Sequence, residues 1–358
     1  MPPAPPPARA DGFAGVRLHI VTGKGGTGKT TVAAALAVAL ANQGKRVLLA
    51  EVEGRQGISQ TFDVPPLPTT ETRVAGGANG GEVVGLAVDA KAALLEYLQL
   101  FYKLGRAGGV LEKFGAIDFA TTIAPGVRDL LLIGRIYEAS RRRLDNKHLR
   151  GSAPEDLAYD AIVLDAPPTG RIPRFLSVGE EVADLARMGP IHSQAGSITE
   201  VLHSGATRVH VVTLLEEMPV QETIDAVAEL REMGMPVGAV VINQVRAWEE
   251  FEVAADLDEN DRATGFTIHR PALADPLSPT ELAEDLRSVG LDLPTGTAEA
   301  LLAQVRDHTE RVDLEVEQLA VLKDLGQPLV SVPFLVDGVD LNAVTEIAQI
   351  LTSEGMVP

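Results

Sequence analysis

Nine residues near the start of the chain combine the types that hold phosphate: Gly23-Lys-Gly-Gly-Thr-Gly-Lys-Thr-Thr31. Their spacing satisfies G-x-x-x-x-G-K-[ST], the pattern of a loop that wraps the phosphates of a nucleoside triphosphate. Gly23, Gly25, Gly26 and Gly28 let the backbone curl, so that successive N–H groups, that of Thr27 among them, face one anion. A helix opening at Lys29 would add the positive end of its dipole. Lys29 is expected at the β- and γ-phosphates, the Thr30 hydroxyl at Mg²⁺ and Thr31 near the α-phosphate. The implied ligands are therefore ATP and Mg²⁺. Lys24 is a second lysine that a single chain does not need for cradling phosphate. In the two-lysine, deviant form of this loop it crosses a dimer interface to the partner's nucleotide, where it offsets transition-state charge.

Such a loop works only between a strand and a helix, and both are legible. Val16–Thr22 reads as a strand, Lys29–Asn42 as a helix that stops at Gly44, and Arg46–Ala50 as the next strand. Further apolar runs follow at Ala161–Asp165, Val209–Leu214, Val237–Ile242 and Leu329–Val332. They are continuous and β-branched, as suits strands covered on both faces. Helical patterns at Val220–Met233 and Leu341–Leu351 lie between or after them. Alternation of this kind predicts an α/β fold with a doubly wound, mainly parallel sheet. Residues 1–14, rich in Pro and Ala, read as a disordered tail, and 15–358 as one nucleotide-binding domain. Two stretches, about 90–150 and 247–326, break the alternation. Both are expected to be helical insertions forming a cap, with no strand evident in the second.

Composition removes several classes of chemistry. The chain has no cysteine, which excludes a thiolate nucleophile, an iron–sulfur cluster and Cys-bound zinc, and fits a reducing compartment. Its net charge of −19 repels phosphate backbones and argues against nucleic acid as a partner. No leader pattern precedes the first strand, and no apolar run reaches the roughly 18 residues of a membrane span. A soluble, cytoplasmic protein is expected. The seven histidines show no ligand spacing and receive no catalytic role.

Later segments carry a resemblance. Asp165-Ala-Pro-Pro-Thr-Gly-Arg-Ile-Pro-Arg-Phe-Leu176 resembles the switch II element of the arsenite-pump (ArsA-type) ATPase family, which includes the targeting ATPase for tail-anchored membrane proteins. Leu48-Leu-Ala-Glu-Val-Glu53, on to Phe62, resembles its switch I. Gln221-Glu-Thr223, Ile242-Asn-Gln244 and Pro333-Phe-Leu-Val336 fall where the family has similar elements. Within the family the chain is most similar to paired actinobacterial members. The resemblance covers nearly all of the chain from Val16 and implies a SIMIBI-class P-loop NTPase that closes as a dimer. Asp165, emerging at the carboxyl edge of the sheet, is placed to hold Mg²⁺ with Thr30. Asn243 is placed to read the adenine edge, with Pro333 beside it.

Departures from the family pattern matter equally. Glu53 stands where the family's switch I has an Asp that orients the attacking water. The carboxylate survives one methylene longer, and a displacement near 1 Å can cost about 10²-fold in rate. Arg171 replaces the switch II histidine. The Cys-x-x-Cys clasp of the eukaryotic targeting factors and the thiols that arsenite needs are both absent. Slow ATP hydrolysis is expected, with Lys24, Lys29 and Glu53 as the catalytic set. Leu94, Leu98, Phe101 and Tyr102, with Leu130–Ile133, Ile136 and Tyr137, form either a groove for an apolar protein client or an ordinary subdomain core. Two functions follow from these residues. One is a dimeric ATPase that couples closure to a protein client, possible membrane proteins among them. The other is a catalytically weak partner that regulates a paralogous ATPase in a heterodimer.

Overall fold

The computed structural model describes residues 13–52, 54, 56–94, 125–143, 157–185, 190–246, 252–257, 263–269, 278–292, 294, 296–335 and 338–357. Glu53, Leu98, Phe101 and Tyr102 lie outside these described residues. Eight strands form one sheet: β1 (Leu18–Gly23), β2 (Arg46–Glu51), β3 (Thr72–Gly76), β4 (Glu82–Ala87), β5 (Ala161–Asp165), β6 (Thr207–Thr213), β7 (Val237–Val245) and β10 (Leu329–Pro333). Their order is β10-β7-β6-β1-β5-β2-β4-β3, and every pairing is parallel except that of β3 with β4. The fold is the expected doubly wound α/β sheet. Strand order reverses on either side of β1, which opens a crevice at the carboxyl ends where ligands of such sheets bind.

Each face of the sheet has its own core. On one side α1 (Lys29–Asn42), α2 (Gly57–Thr61) and α9 (Leu341–Ser353) pack on Val21, Val47, Leu49, Val163 and Val241. Every residue of α1 from Val32 to Ala41 is buried, because this alanine-rich helix is covered by the sheet on one side and by α9 on the other. On the opposite face lie α3 (Pro125–Arg141), α4 (Ile172–Leu185), α5 (Pro190–Leu202) and α6 (Glu217–Glu232), over Ile20, Leu48, Leu164, Val211 and Val240. Leu132, Ile133 and Ile136 of α3 belong to that core, with Leu130 and Tyr137 packed at its edge. Glu71, just before β3, accepts hydrogen bonds from Arg142 (2.6 Å), Tyr159 (2.7 Å) and Arg135 (3.3 Å), which ties α3 to the sheet.

Two features differ from the sequence reading. β3 and β4 were not anticipated, because Gly76, Gly77, Gly80 and Gly81 surround them and Gly85 interrupts β4. Gly85 is required there: a Cβ would lie 2.8 Å from Val74 Cγ1 on the neighbouring strand. The expectation of no strand in 247–326 is corrected by an antiparallel pair, β8 (Glu252–Leu257) with β9 (Ala263–His269). Phe266, Thr267 and Ile268 supply the β-forming residues, but acidic side chains between the strands masked the pattern. The helices of that stretch are α7 (Pro279–Ser288), started by a Ser278–Glu281 capping box, and the 27-residue α8 (Thr297–Lys323). No described helix is long and apolar enough to cross a membrane.

Candidate functional site

β1 is buried throughout and ends at Gly23, where the chain turns into the glycine loop. Gly25 and Gly26 face solvent, and Gly28, at φ 89°, is the left-handed residue from which α1 starts. Only glycine fits at 28 on two counts, since a Cβ there would also collide with the Asn243 amide nitrogen. The loop is braced from within: the Lys24 carbonyl accepts from Thr27 Oγ1 at 2.9 Å and from Lys29 Nζ at 3.3 Å. Lys29 is only 8% exposed, so its ammonium is held beneath the loop it would neutralise. Thr31 is half-buried in the first turn of α1.

The segment from Asp165, which resembles switch II, is tied to this loop by backbone and side chain. Thr22 Oγ1 donates to the Pro167 carbonyl at 2.6 Å, and the Thr169 N–H to the Gly23 carbonyl at 3.3 Å. Asp165 ends β5, and its Oδ2 accepts the Thr30 hydroxyl at 2.6 Å. Thr30 and Asp165 are thus brought together at the carboxyl edge, two oxygen donors of the hard kind that Mg²⁺ prefers. The residues present therefore fit that ion.

The second lysine is engaged inside its own chain. Lys24 Nζ lies 2.8 Å from Glu222 Oε1 on α6, while Glu222 Oε2 accepts the Thr169 hydroxyl at 3.1 Å. One carboxylate therefore bridges the extra loop lysine and switch II. Arg171 is exposed and stands 4.0 Å from Asp129 of α3. Burial raises the Asp129 carboxyl above its ordinary value, against the opposing pull of Arg171, Arg128 and Arg174.

On the far side of the loop, Asn243 is 7% exposed near the end of β7. Its Nδ2 donates to the Thr27 carbonyl at 2.9 Å, and its Oδ1 accepts the Gln244 N–H at 3.0 Å. The side chain expected at a base edge is thus also a clamp on the phosphate loop. Pro333 ends β10 opposite Val245, and the following Phe334 donates its N–H to the Val245 carbonyl at 2.9 Å. The Arg246 guanidinium stacks 5.4 Å from the Phe334 ring and pairs with Glu315 of α8 at 3.3 Å.

Sequence reasoning missed Glu51, Thr169, Glu222 and Asp129 as members of this constellation. Glu51 carried the signal that singled out Asp165, an acid closing an apolar strand. Glu222 sat inside the quoted Gln221-Glu-Thr223 segment, but only the fold reveals what it faces. His19 and His210 pair inside the sheet, on β1 and β6, 3.1 Å apart with stacked rings, although no metal or catalytic spacing was expected of them. His210 Nδ1 accepts the Ala239 N–H, so its Nε2 carries the proton given to His19 Nδ1. Burial depresses both imidazoles, His19 to about 3, and keeps them neutral.

A parallel sheet with the glycine loop between β1 and α1, and an aspartate at the end of β5, defines a P-loop NTPase of the SIMIBI class. The family described as anion-transporting ATPase (ArsA type) matches residues 16–204, and the chain belongs to that family. It is 46% identical over 344 residues to the ATPase BagA of Mycobacterium tuberculosis (strain ATCC 25618 / H37Rv), covering 96% of this chain and 95% of that one. It is 23% identical over 261 residues to the ATPase ASNA1 homolog of Entamoeba dispar, covering 63% and 75% respectively.

Proposed function

We propose that this chain binds ATP with Mg²⁺ and hydrolyses it slowly, as one half of a composite site built by two ATPase subunits in the cytoplasm. The observation that carries this reading is the Thr30–Asp165 contact of 2.6 Å, at the end of a glycine loop whose Lys24 carbonyl holds the Lys29 ammonium. The N–H groups of Gly23 to Thr31 would surround the phosphates, Lys29 would lie against the β- and γ-oxygens, and Asn243 and Pro333 would border the adenine. Thr30 and Asp165 would hold Mg²⁺, which when bound neutralises charge on the β- and γ-phosphates. Glu53 is the group assigned to orient the attacking water. Lys24 would leave Glu222 and exchange one carboxylate for the denser charge of a partner's phosphates.

Closure of the two subunits would be passed on through switch II. Arg171 lies next to Asp129, so movement of the Thr169–Arg171 segment pulls on α3 and the insertion around it. A protein client, with apolar segments of membrane proteins as the favoured class, would be bound there. A second function rests on Glu53 and Arg171 standing where the family has Asp and His. In it the chain is a nucleotide-binding partner that completes a paralogous, faster ATPase.

Mg²⁺-dependent ATP hydrolysis per chain, measured across protein concentration, separates the two. Turnover that rises steeply with concentration and disappears in Lys24→Ala supports the self-completed site. Tight ATP binding with no turnover at any concentration rejects it and favours the heterodimer.

A further inference from the structure

Glu51 is the last residue of β2 and is 3% exposed, although it is charged. Its surroundings explain how that charge is tolerated. Oε1 accepts the Gln56 backbone N–H at 2.7 Å, and Oε2 accepts the Ile58 N–H at 3.1 Å. Both oxygens are thereby spent on the turn that enters α2, the segment matching the family's switch I. The turn is tight: Gln56 adopts φ 57°, a left-handed conformation uncommon for a residue with a side chain. Ile58 beyond it is fully buried against α1. By sequence the turn also contains Glu53, two residues after Glu51 and three before Gln56.

The backbone of Glu51 is fixed from both sides. In register it stands beside Asp165 on β5 and Ala87 on β4. Its carbonyl accepts the Val88 N–H at 2.8 Å, where the chain leaves the sheet toward the first insertion. The turn that it anchors lies against the metal pair: a Cβ on Gly57 would come within 2.9 Å of Thr30 Cγ2. A rigid strand end therefore carries one carboxylate from which the switch I turn hangs, next to Thr30 and Asp165.

We propose that Glu51 is a positioning residue for ATP hydrolysis, anchoring the switch I turn through the Gln56 and Ile58 N–H groups so that Gly57 is held against Thr30 of the Thr30–Asp165 pair. The inference rests on the ATPase reading above. It assigns Glu51 no contact with nucleotide or metal; its carboxylate acts through the two N–H groups of the turn. Its substitution acts on turnover and leaves nucleotide affinity alone. Glu51→Gln keeps the shape but presents an amide nitrogen to one of the two N–H donors and releases that half of the anchor.

The test measures kcat and KM for Mg·ATP, the dissociation constant of Mg·ADP, and amide exchange across residues 54–62, in the wild-type chain and in Glu51→Gln. The expected result is a kcat lowered about 10- to 100-fold, a KM and an ADP affinity within about two-fold of wild type, and faster exchange confined to 54–62. A Glu51→Gln chain with wild-type kcat overturns the proposal. So does one that loses ADP binding and turnover together, since that marks a merely structural acid. If Glu51→Gln does not fold, Glu51→Asp, which keeps the charge and shortens the reach, is held to the same split. Absence of turnover in the wild type would instead bring down the ATPase reading, and this role with it, a failure visible without any variant.

Discussion

At the carboxyl edge of the sheet, Thr30, Asp165, Asn243 and Glu222 are each held by hydrogen bonds or ion pairs of 2.6–3.1 Å to a different element. Along α8 the arrangement is looser. Leu319 and Leu322 join the sheet-side core and Glu315 grips Arg246, but Leu301 and Val305, about three to six turns earlier on the same stripe, are exposed. The edge is over-determined because these side chains tie strand ends and α6 to the glycine loop and to the segment after β5. Among the described residues, α8 meets α6 and α7 and reaches Arg246 just after β7. The region that must place charges to within a fraction of an ångström is thus the one with the most redundant fixings. The insertion side retains freedom to move.

That contrast can be broken in order of expected effect. Lys29→Ala removes the ammonium held under the loop and should weaken ATP binding by at least about 100-fold. Calorimetric titration showing unchanged affinity would mean that the edge is not the nucleotide site. Ile136→Ala should cost about 2–5 kcal/mol in urea unfolding, as for any fully buried aliphatic of the main core. A loss well below 1 kcal/mol would instead place α3 among the adaptable surfaces and revive it as a client groove. Acid should come next. His19 and His210 are held neutral, their folded pKa values lying below the unfolded value near 6.5. Their contribution is therefore intact above pH 6.5 and is lost as pH falls from there toward about 3. The slope is about 1.4 kcal/mol per pH unit for each proton taken up. Melting followed from pH 7.5 to 4.5 checks it, and His210→Gln should flatten the fall. Smallest of all, Leu301→Ser should change stability by no more than about 0.5 kcal/mol. A larger loss would show that the exposed half of α8 has a partner in solution.

The legibility of the sequence follows the same division. Local patterns were enough for β1, the glycine loop and α1, since a strand, a fixed glycine spacing and a helix occur in succession. The bounds Lys29–Asn42 and Ala161–Asp165 coincide with the observed elements. β4 was hidden because Gly85 exists to let Val74 approach, a reason that lies on another strand. Glu51 and Glu222 were hidden for a related cause: an acid at a strand end or on a helix face reads as solvated until its partners are brought to it. Asn243 was legible as a residue of the site but not as the clamp on Thr27, 216 positions earlier.

The covering of α1 by α9 has a consequence for how the protein is made. The helix that follows the glycine loop leaves the ribosome well before residues 341–353, which roof its apolar outer face. At roughly 5–20 residues per second, some tens of seconds separate the two. During that interval the nascent chain displays an alanine–valine–leucine surface with nothing of its own to place on it. Burial of α1 thus waits for α9, and a shielding factor at the ribosome has a defined patch to protect.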